Sequence, residues 1–131
     1  MKIGALAKQT GLSVQTIRFY EQEGLVPIPQ RTEGNYRLYD IESLRQLGFI
    51  KQCRNLGLKL DEIRELIKYQ ATPEEACKEI NHIVDAHVQE VDARITELTV
   101  LREQLVGLRR QCDSERSVKD CGILRNLLEQ G

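Results

Sequence analysis

Positions 77, 84, 91, 98, 105 and 112 hold Cys, Val, Val, Leu, Leu and Cys, one apolar or thiol residue every seven. Such a column marks a single seam along a helix, with a thiol at each end. A second column, Ile80, Val88, Ile95, Leu101 and Leu108, accompanies it and drifts by one position. Drift of that kind is what about 3.6 residues per turn requires. The seam constrains more than helicity. At about 1.5 Å of rise per residue, Cys77 and Cys112 of one helix stand roughly 50 Å apart and share no chemistry. In an antiparallel pair, 77 meets 112, 84 meets 105 and 91 meets 98, so every column residue finds an apolar or thiol partner. A parallel pair sets Cys77 beside its twin, far from Cys112 and Cys121. Only the antiparallel pair unites three thiols, and it is the arrangement expected here.

Composition agrees with a core completed by a second chain. Of 131 residues, 40% are hydrophobic and 5% aromatic, with no Trp and 30% charged. That is thin for a compact monomer, and the length suits one small domain plus a long helix. No apolar run approaches the roughly 20 residues of a membrane span. Met1-Lys2-Ile3-Gly4 lacks the apolar core of a signal peptide, so the expected location is cytoplasmic. In that reducing compartment four cysteines argue for metal or redox chemistry before a structural disulfide. Residues 1–60 carry nine Lys/Arg against five Asp/Glu, a net of +4, which leaves −5 on the rest of a chain whose total is −1. A basic front half points to a head that binds a polyanion.

The spacing predicts an all-α fold with a small wing. Residues 3–10 read as a short helix stopped by Gly11, and Ser13 caps a second, VQTIRFYEQEG, whose inner face is Val14, Ile17 and Phe19 or Tyr20. Two short helices on a tight turn match a helix-turn-helix. Pro27 and Pro29 break helical structure, and Gly34-Asn35 turns the chain between Arg31 and Tyr36-Arg37-Leu38-Tyr39, a hairpin or wing. Asp40 caps a third helix with Ile41, Leu44, Leu47, Ile50 and Cys53 inward, ended by Gly57; residues 60–70 form a fourth. Thr72-Pro73-Glu74-Glu75 has the capping pattern of a fifth, long helix running to about Arg110. A polar loop, DSERSVKD, and a short helix, GILRNLL, follow Cys112. The expected domains are a DNA-binding winged helix-turn-helix over 1–72, a dimerisation helix over 73–111, and a metal-binding loop with the last helix over 112–131.

Cys112 and Cys121 of one chain with Cys77 of another make a three-thiol donor set suited to soft ions. Against this stand two blander readings: the cysteines pack as small apolar residues, or Cys112 and Cys121 close a redox disulfide. Cys53 reads as a buried helix residue. His82 falls on an outer, solvated position, and His87 sits nearer the seam, as a hydrogen-bonding residue or a fourth ligand. Asp113, Glu115 and Asp120 offer oxygen donors in a solvated loop. No Ser-His-Asp set, phosphate-binding loop or acid pair appears, so no enzyme is expected. In the second helix Gln15, Thr16, Arg18 and Tyr20 follow the cap, where a recognition helix reaches base edges and phosphates. Arg31, Tyr36 and Arg37 on the wing, and Arg54 in the third helix, complete the candidate DNA contacts.

Four stretches carry a resemblance: IGALAKQTGLSVQTIRFYEQEGLV, RTEGNYRLYD, LRQLGFIKQCRNLGLKLDEIRELI, and the long helix ending in CDSERSVKDCGIL. Together they span nearly the whole chain, which resembles the MerR family of bacterial transcriptional activators. The resemblance implies a winged helix-turn-helix head and an antiparallel dimer on double-stranded promoter DNA. It also implies distortion of that DNA on inducer binding, so that RNA polymerase engages both promoter elements. Cys77, Cys112 and Cys121 fall where the heavy-metal sensors of the family place three thiols, and CDSERSVKDCGIL resembles the lead- and cadmium-responsive branch. The zinc branch adds a second Cys beside the first loop Cys and a His within the loop; here Asp113 follows Cys112 and residues 113–120 hold no His. The copper branch has Ser at the place of Cys77. Lead or cadmium is therefore the implied inducer, with mercury, zinc or a redox trigger as alternatives. A thiol protein that buffers metal without regulating promoters is the reading from another class.

Overall fold

The computed structural model describes residues 1–75, 77–112 and 117–130. Two compact units divide the chain, Met1–Ile83 and Val84–Gly131. In the first, α1 (Ile3–Thr10) and α2 (Val14–Gln22) are the two short helices of the helix-turn-helix. Gly11 between them takes φ 75°, and its N–H bonds the Ala7 carbonyl at 2.9 Å. That left-handed φ favours glycine, and a Cβ there would also displace the Lys51 ammonium, 2.9 Å away. Ser13 caps α2 as expected, its hydroxyl oxygen accepting from the Thr16 N–H at 3.0 Å. After α2 the chain turns through Gly24 and passes Pro27 and Pro29 to a small wing. There Arg31 bridges Arg37 in antiparallel fashion, the Thr32 N–H bonds the Tyr36 carbonyl at 2.7 Å, and Asn35 takes the left-handed turn conformation at φ 61°.

Asp40 opens α3 (Ile41–Asn55) by accepting from the Ser43 N–H at 3.0 Å, and α4 (Leu60–Gln70) follows Gly57. The core of this unit centres on Leu6, Ile17, Leu25, Val26, Leu47, Ile50 and Ile63. Cys53 joins it, a buried helix residue as expected, and burial pushes its thiol pKa up. Ile41 departs from expectation and is 57% exposed. The spacing 41, 44, 47, 50 advances three residues at a time, and each step falls about 60° short of a full turn. Over three steps the row winds to the opposite face, so Ile41 points away from the wall that Leu47 and Ile50 form, and Ser43 is buried instead.

The long helix, α5, spans Lys78–Arg109 and not the stretch from Thr72 onward. Thr72 closes the preceding helix: its hydroxyl donates to the Tyr69 carbonyl at 3.3 Å, and its own carbonyl accepts from the Glu75 N–H in a turn. Cys77 opens α5, its carbonyl taking the first helical bond from the Asn81 N–H at 2.9 Å. No residue of α5 is buried. In the second unit a short 3₁₀ turn at Val118–Asp120 leads into α6 (Gly122–Gln130). Among the described residues no helix is long and apolar enough to cross a membrane.

Candidate functional site

Four basic residues of the head come together at the wing. Arg18 of α2 and Arg31, Asn35, Tyr36 and Arg37 of the wing line a cavity of about 200 Å³, together with Lys2. Arg18, Arg31 and Arg37 also line a neighbouring cavity of about 250 Å³. Three guanidiniums thus border two adjoining hollows, an arrangement that suits backbone phosphates. Lys2 was not foreseen: its ammonium stands 4.4 Å from the centre of the Tyr36 ring, a cation–π contact that fixes the exposed wing aromatic. The signal was faint, a single Lys just ahead of α1.

The other expected contact residues divide. Gln15 is exposed on the outer face of α2, while the Thr16 hydroxyl is engaged with the Ser13 hydroxyl at 2.8 Å. Tyr20 lies in the core, and Phe19 is the aromatic that α2 exposes. Arg54 is exposed at the end of α3, where it donates to the Leu58 carbonyl at 3.2 Å.

The thiols lie at helix boundaries. Cys77 is exposed immediately before α5, and Cys112 follows it, with its N–H on the Arg109 carbonyl at 3.3 Å. Cys121 caps α6: its carbonyl accepts from the Arg125 N–H at 3.1 Å, as the residue before a helix should. The Leu124 N–H, bonding the sulfur, pulls the Cys121 thiol below its ordinary pKa; desolvation opposes it, and the Ile123 N–H and the Cys112 thiol add to the lowering. Unpaired amides at a helix start favour a thiolate, the form that binds soft metals. We expect the rate of Cys121 alkylation, followed against pH by mass spectrometry, to reach half its maximum below the usual thiol value. A midpoint at or above that value contradicts the cap.

Gly122 holds the two cysteine arms together. A Cβ at this position would lie 2.2 Å from the Gln111 carbonyl oxygen and 3.1 Å from its carbon. The backbone before Cys112 and the backbone after Cys121 are therefore in direct contact, which a side chain would break. Overpacking of this kind costs about 1–3 kcal/mol. Gly122→Ala is expected to weaken metal binding by about tenfold, measured by competition with a chromophoric chelator; unchanged affinity contradicts the tight loop. His82 is exposed, as expected. His87 is 15% exposed, with Nδ1 3.8 Å from Glu90 one turn on. Asp113 and Glu115 lie outside the described residues; Asp120 accepts from the Ser117 hydroxyl at 3.1 Å.

Residues 1–70 match the family described as MerR HTH family regulatory protein, and residues 44–108 match that described as MerR, DNA binding. The chain belongs to the MerR family. Membership makes it a regulator and not an enzyme. It is 50% identical over 111 residues to the HTH-type transcriptional regulator ZntR homolog of Haemophilus influenzae, covering 85% of this chain and 82% of that one. Against the mercuric resistance operon regulatory protein of Bacillus cereus the identity is 31%, over 98% of both chains. Among solved structures, the transcription regulator PbrR691 of Ralstonia metallidurans in complex with lead(II) superposes with a TM-score of 0.87 at 50% identity, over 97% of this chain and 98% of that one. The winged head and long helix are thus shared across this MerR-type fold.

Proposed function

We propose that this MerR-type chain is a metal-sensing transcriptional regulator that works in the cytoplasm as an antiparallel homodimer on promoter DNA. The observation that carries the metal assignment is the close approach of the backbone before Cys112 to that after Cys121, with the Cys121 thiol pKa lowered at the start of α6. The donor set fits: sulfur ligands with a lowered proton affinity suit a thiophilic divalent ion. Cys77 stands before α5 and Cys112 after it, separated by a helix of 32 residues. Such a helix rises about 48 Å, so the third thiol comes from a second chain.

The outer surface of α5 supports the dimer. Val84, Val88, Val91, Ile95, Leu98, Leu101 and Leu105 are all exposed, an apolar row left uncovered among the described residues. A helix of this length draws its stability from packing an apolar face, and a second α5 running antiparallel supplies that packing. Each of two symmetry-related sites then uses Cys112 and Cys121 of one chain and Cys77 of the other. The bound ion supplies a sulfur-linked tie between the chains. The residues of the heads do the rest: Gln15 reads bases, while Arg18, Arg31, Tyr36, Arg37, Arg54 and Lys2 grip the backbone. Tyr20 serves the core, and the Thr16 hydroxyl serves the cap. Such a tie would alter the spacing of the heads and hence the twist of the promoter presented to RNA polymerase.

Lead or cadmium is the inducer this reading favours, supported by the likeness to lead(II)-bound PbrR691. The equal identity to a ZntR homolog makes zinc the runner-up, and mercury follows. Transcription in vitro from the chain's own upstream promoter, with free metal buffered, tests the reading. Lead or cadmium should activate at lower free concentration than zinc. Activation by oxidant alone, or by no metal, overturns it.

A further inference from the structure

Behind the three arginines of the head lies a polar pair withdrawn from the surface. Glu21, near the end of α2, is 5% exposed, and Tyr39, just before α3, is 3% exposed. The Tyr39 hydroxyl donates to the Glu21 carboxylate, 3.0 Å from Oε1 and 3.1 Å from Oε2. One hydroxyl carries one proton, so a single donor is shared between both oxygens. A carboxylate withdrawn this far needs further compensation for its charge. Arg18, Arg31 and Arg37 line the same 250 Å³ cavity as Glu21. Tyr39 feels both neighbours. Burial, then the bond to Glu21 and its charge, raise the Tyr39 pKa, and Arg37 opposes them.

Within the wing lie the Arg31–Arg37 bridge, the bonds of the Thr32 N–H to the Tyr36 carbonyl and of the Asn35 N–H to the Thr32 carbonyl, and the Arg31 guanidinium on the Asn35 carbonyl. At its base the Tyr39 backbone exchanges two bonds with Met1, each 2.7 Å, and Lys2 stands over Tyr36. Those ties run to the N-terminus, whereas the Tyr39 hydroxyl links the segment to α2. Alternation along the strand-like stretch turns Tyr36 and Leu38 outward and Tyr39 inward, with Arg37 half-buried beside it. The inward residue therefore anchors the segment that carries Arg37.

We propose that Glu21 and Tyr39 are positioning residues for DNA: their buried hydrogen bond pins the wing to α2 and holds the Arg37 guanidinium beside Arg18 and Arg31 as one phosphate-binding set. The proposal rests on the reading that Arg37 contacts the DNA backbone. It runs against bare electrostatics. A carboxylate next to a DNA-binding face repels phosphate, so charge alone predicts that Glu21→Gln tightens binding. Positioning predicts that it weakens binding.

Binding of the full chain to a duplex of its own upstream promoter, measured over a series of salt concentrations, decides the matter. The slope of log affinity against log salt counts phosphate contacts and falls by about 0.9 for each one lost. A head that is merely less stable loses affinity without changing that slope. Arg37→Ala should flatten the slope by about 0.9 per head. Tyr39→Phe and Glu21→Gln should each flatten it in the same direction, and Tyr39→Phe/Arg37→Ala should be no flatter than Arg37→Ala. If Tyr39→Phe fails to fold, Glu21→Leu, which keeps the bulk and removes the acceptor of the Tyr39 hydroxyl, decides by the same slope. Wild-type slopes in Tyr39→Phe and Glu21→Gln, beside a flattened Arg37→Ala, overturn positioning and leave the DNA reading standing. Tighter binding by Glu21→Gln overturns it too. A wild-type slope in Arg37→Ala means that Arg37 is no phosphate contact, and the proposal falls with that reading.

Discussion

Cys121→Ser is expected to abolish metal-dependent transcription while the protein still binds its promoter. The serine hydroxyl stays protonated near neutral pH and is a hard oxygen donor, so it replaces a soft sulfur donor with a group that soft ions avoid. Losing the partners around a ligand already costs about 10–100-fold in metal affinity, and losing the ligand itself should exceed about 100-fold by the same scale. Cys112→Ser should behave alike, since the Cys112 thiol lies against Cys121. Cys53 provides the contrast. It is buried in the core of the head, far from solvent, so Cys53→Ala should leave the metal response intact and lower only stability. Metal titration and promoter footprinting on the same preparations separate the two effects. Full metal activation in Cys121→Ser contradicts the site.

The second large effect concerns the long helix. Leu98 is 58% exposed in one chain and lies midway along the α5 row. In the antiparallel register it faces Val91 of the other chain, and the symmetry repeats the contact. Leu98→Lys therefore removes two apolar burials per dimer and sets two ammonium groups against valine. Each lost burial is worth about 1.5–3 kcal/mol, so the dimer dissociation constant should rise by more than about 100-fold. Promoter affinity should fall with it, because two heads bind one site. Sedimentation equilibrium reads the first quantity and gel shift the second. A variant that remains dimeric at wild-type concentrations contradicts the seam.

The helices of the head were legible because local chemistry fixes their ends. Ser13 and Asp40 cap as their side chains require, and Gly11 stops α1 with a left-handed φ of 75° that favours glycine. Thr72 misled because a hydroxyl bonds backward as readily as forward, and the sequence does not say which carbonyl or amide is nearer. Ile41 departs from the expected face because a spacing of three winds around the helix. The cysteines were legible as a set through their register and spacing. What held them was not: the contact between Gly122 and the Gln111 carbonyl joins two backbones, and no side-chain pattern announces it. Glu21 and Tyr39 were hidden for a related reason. Their bond joins residues 18 apart, and an acid in a charged helix reads as solvated until its burial is known. The alternation of Tyr36 to Tyr39 was the available hint.

The central claim is that each metal site is shared between two chains. The direct measurement mixes Cys77→Ser subunits with Cys112→Ser/Cys121→Ser subunits and isolates the heterodimer by two affinity tags. One face of that heterodimer keeps Cys112 and Cys121 opposite an intact Cys77; the other keeps none of the three. Lead(II) titration followed through its thiolate absorption should show one full-affinity site per heterodimer and none in either homodimer. A heterodimer without such a site, or a Cys77→Ser homodimer that binds with wild-type affinity, contradicts the account.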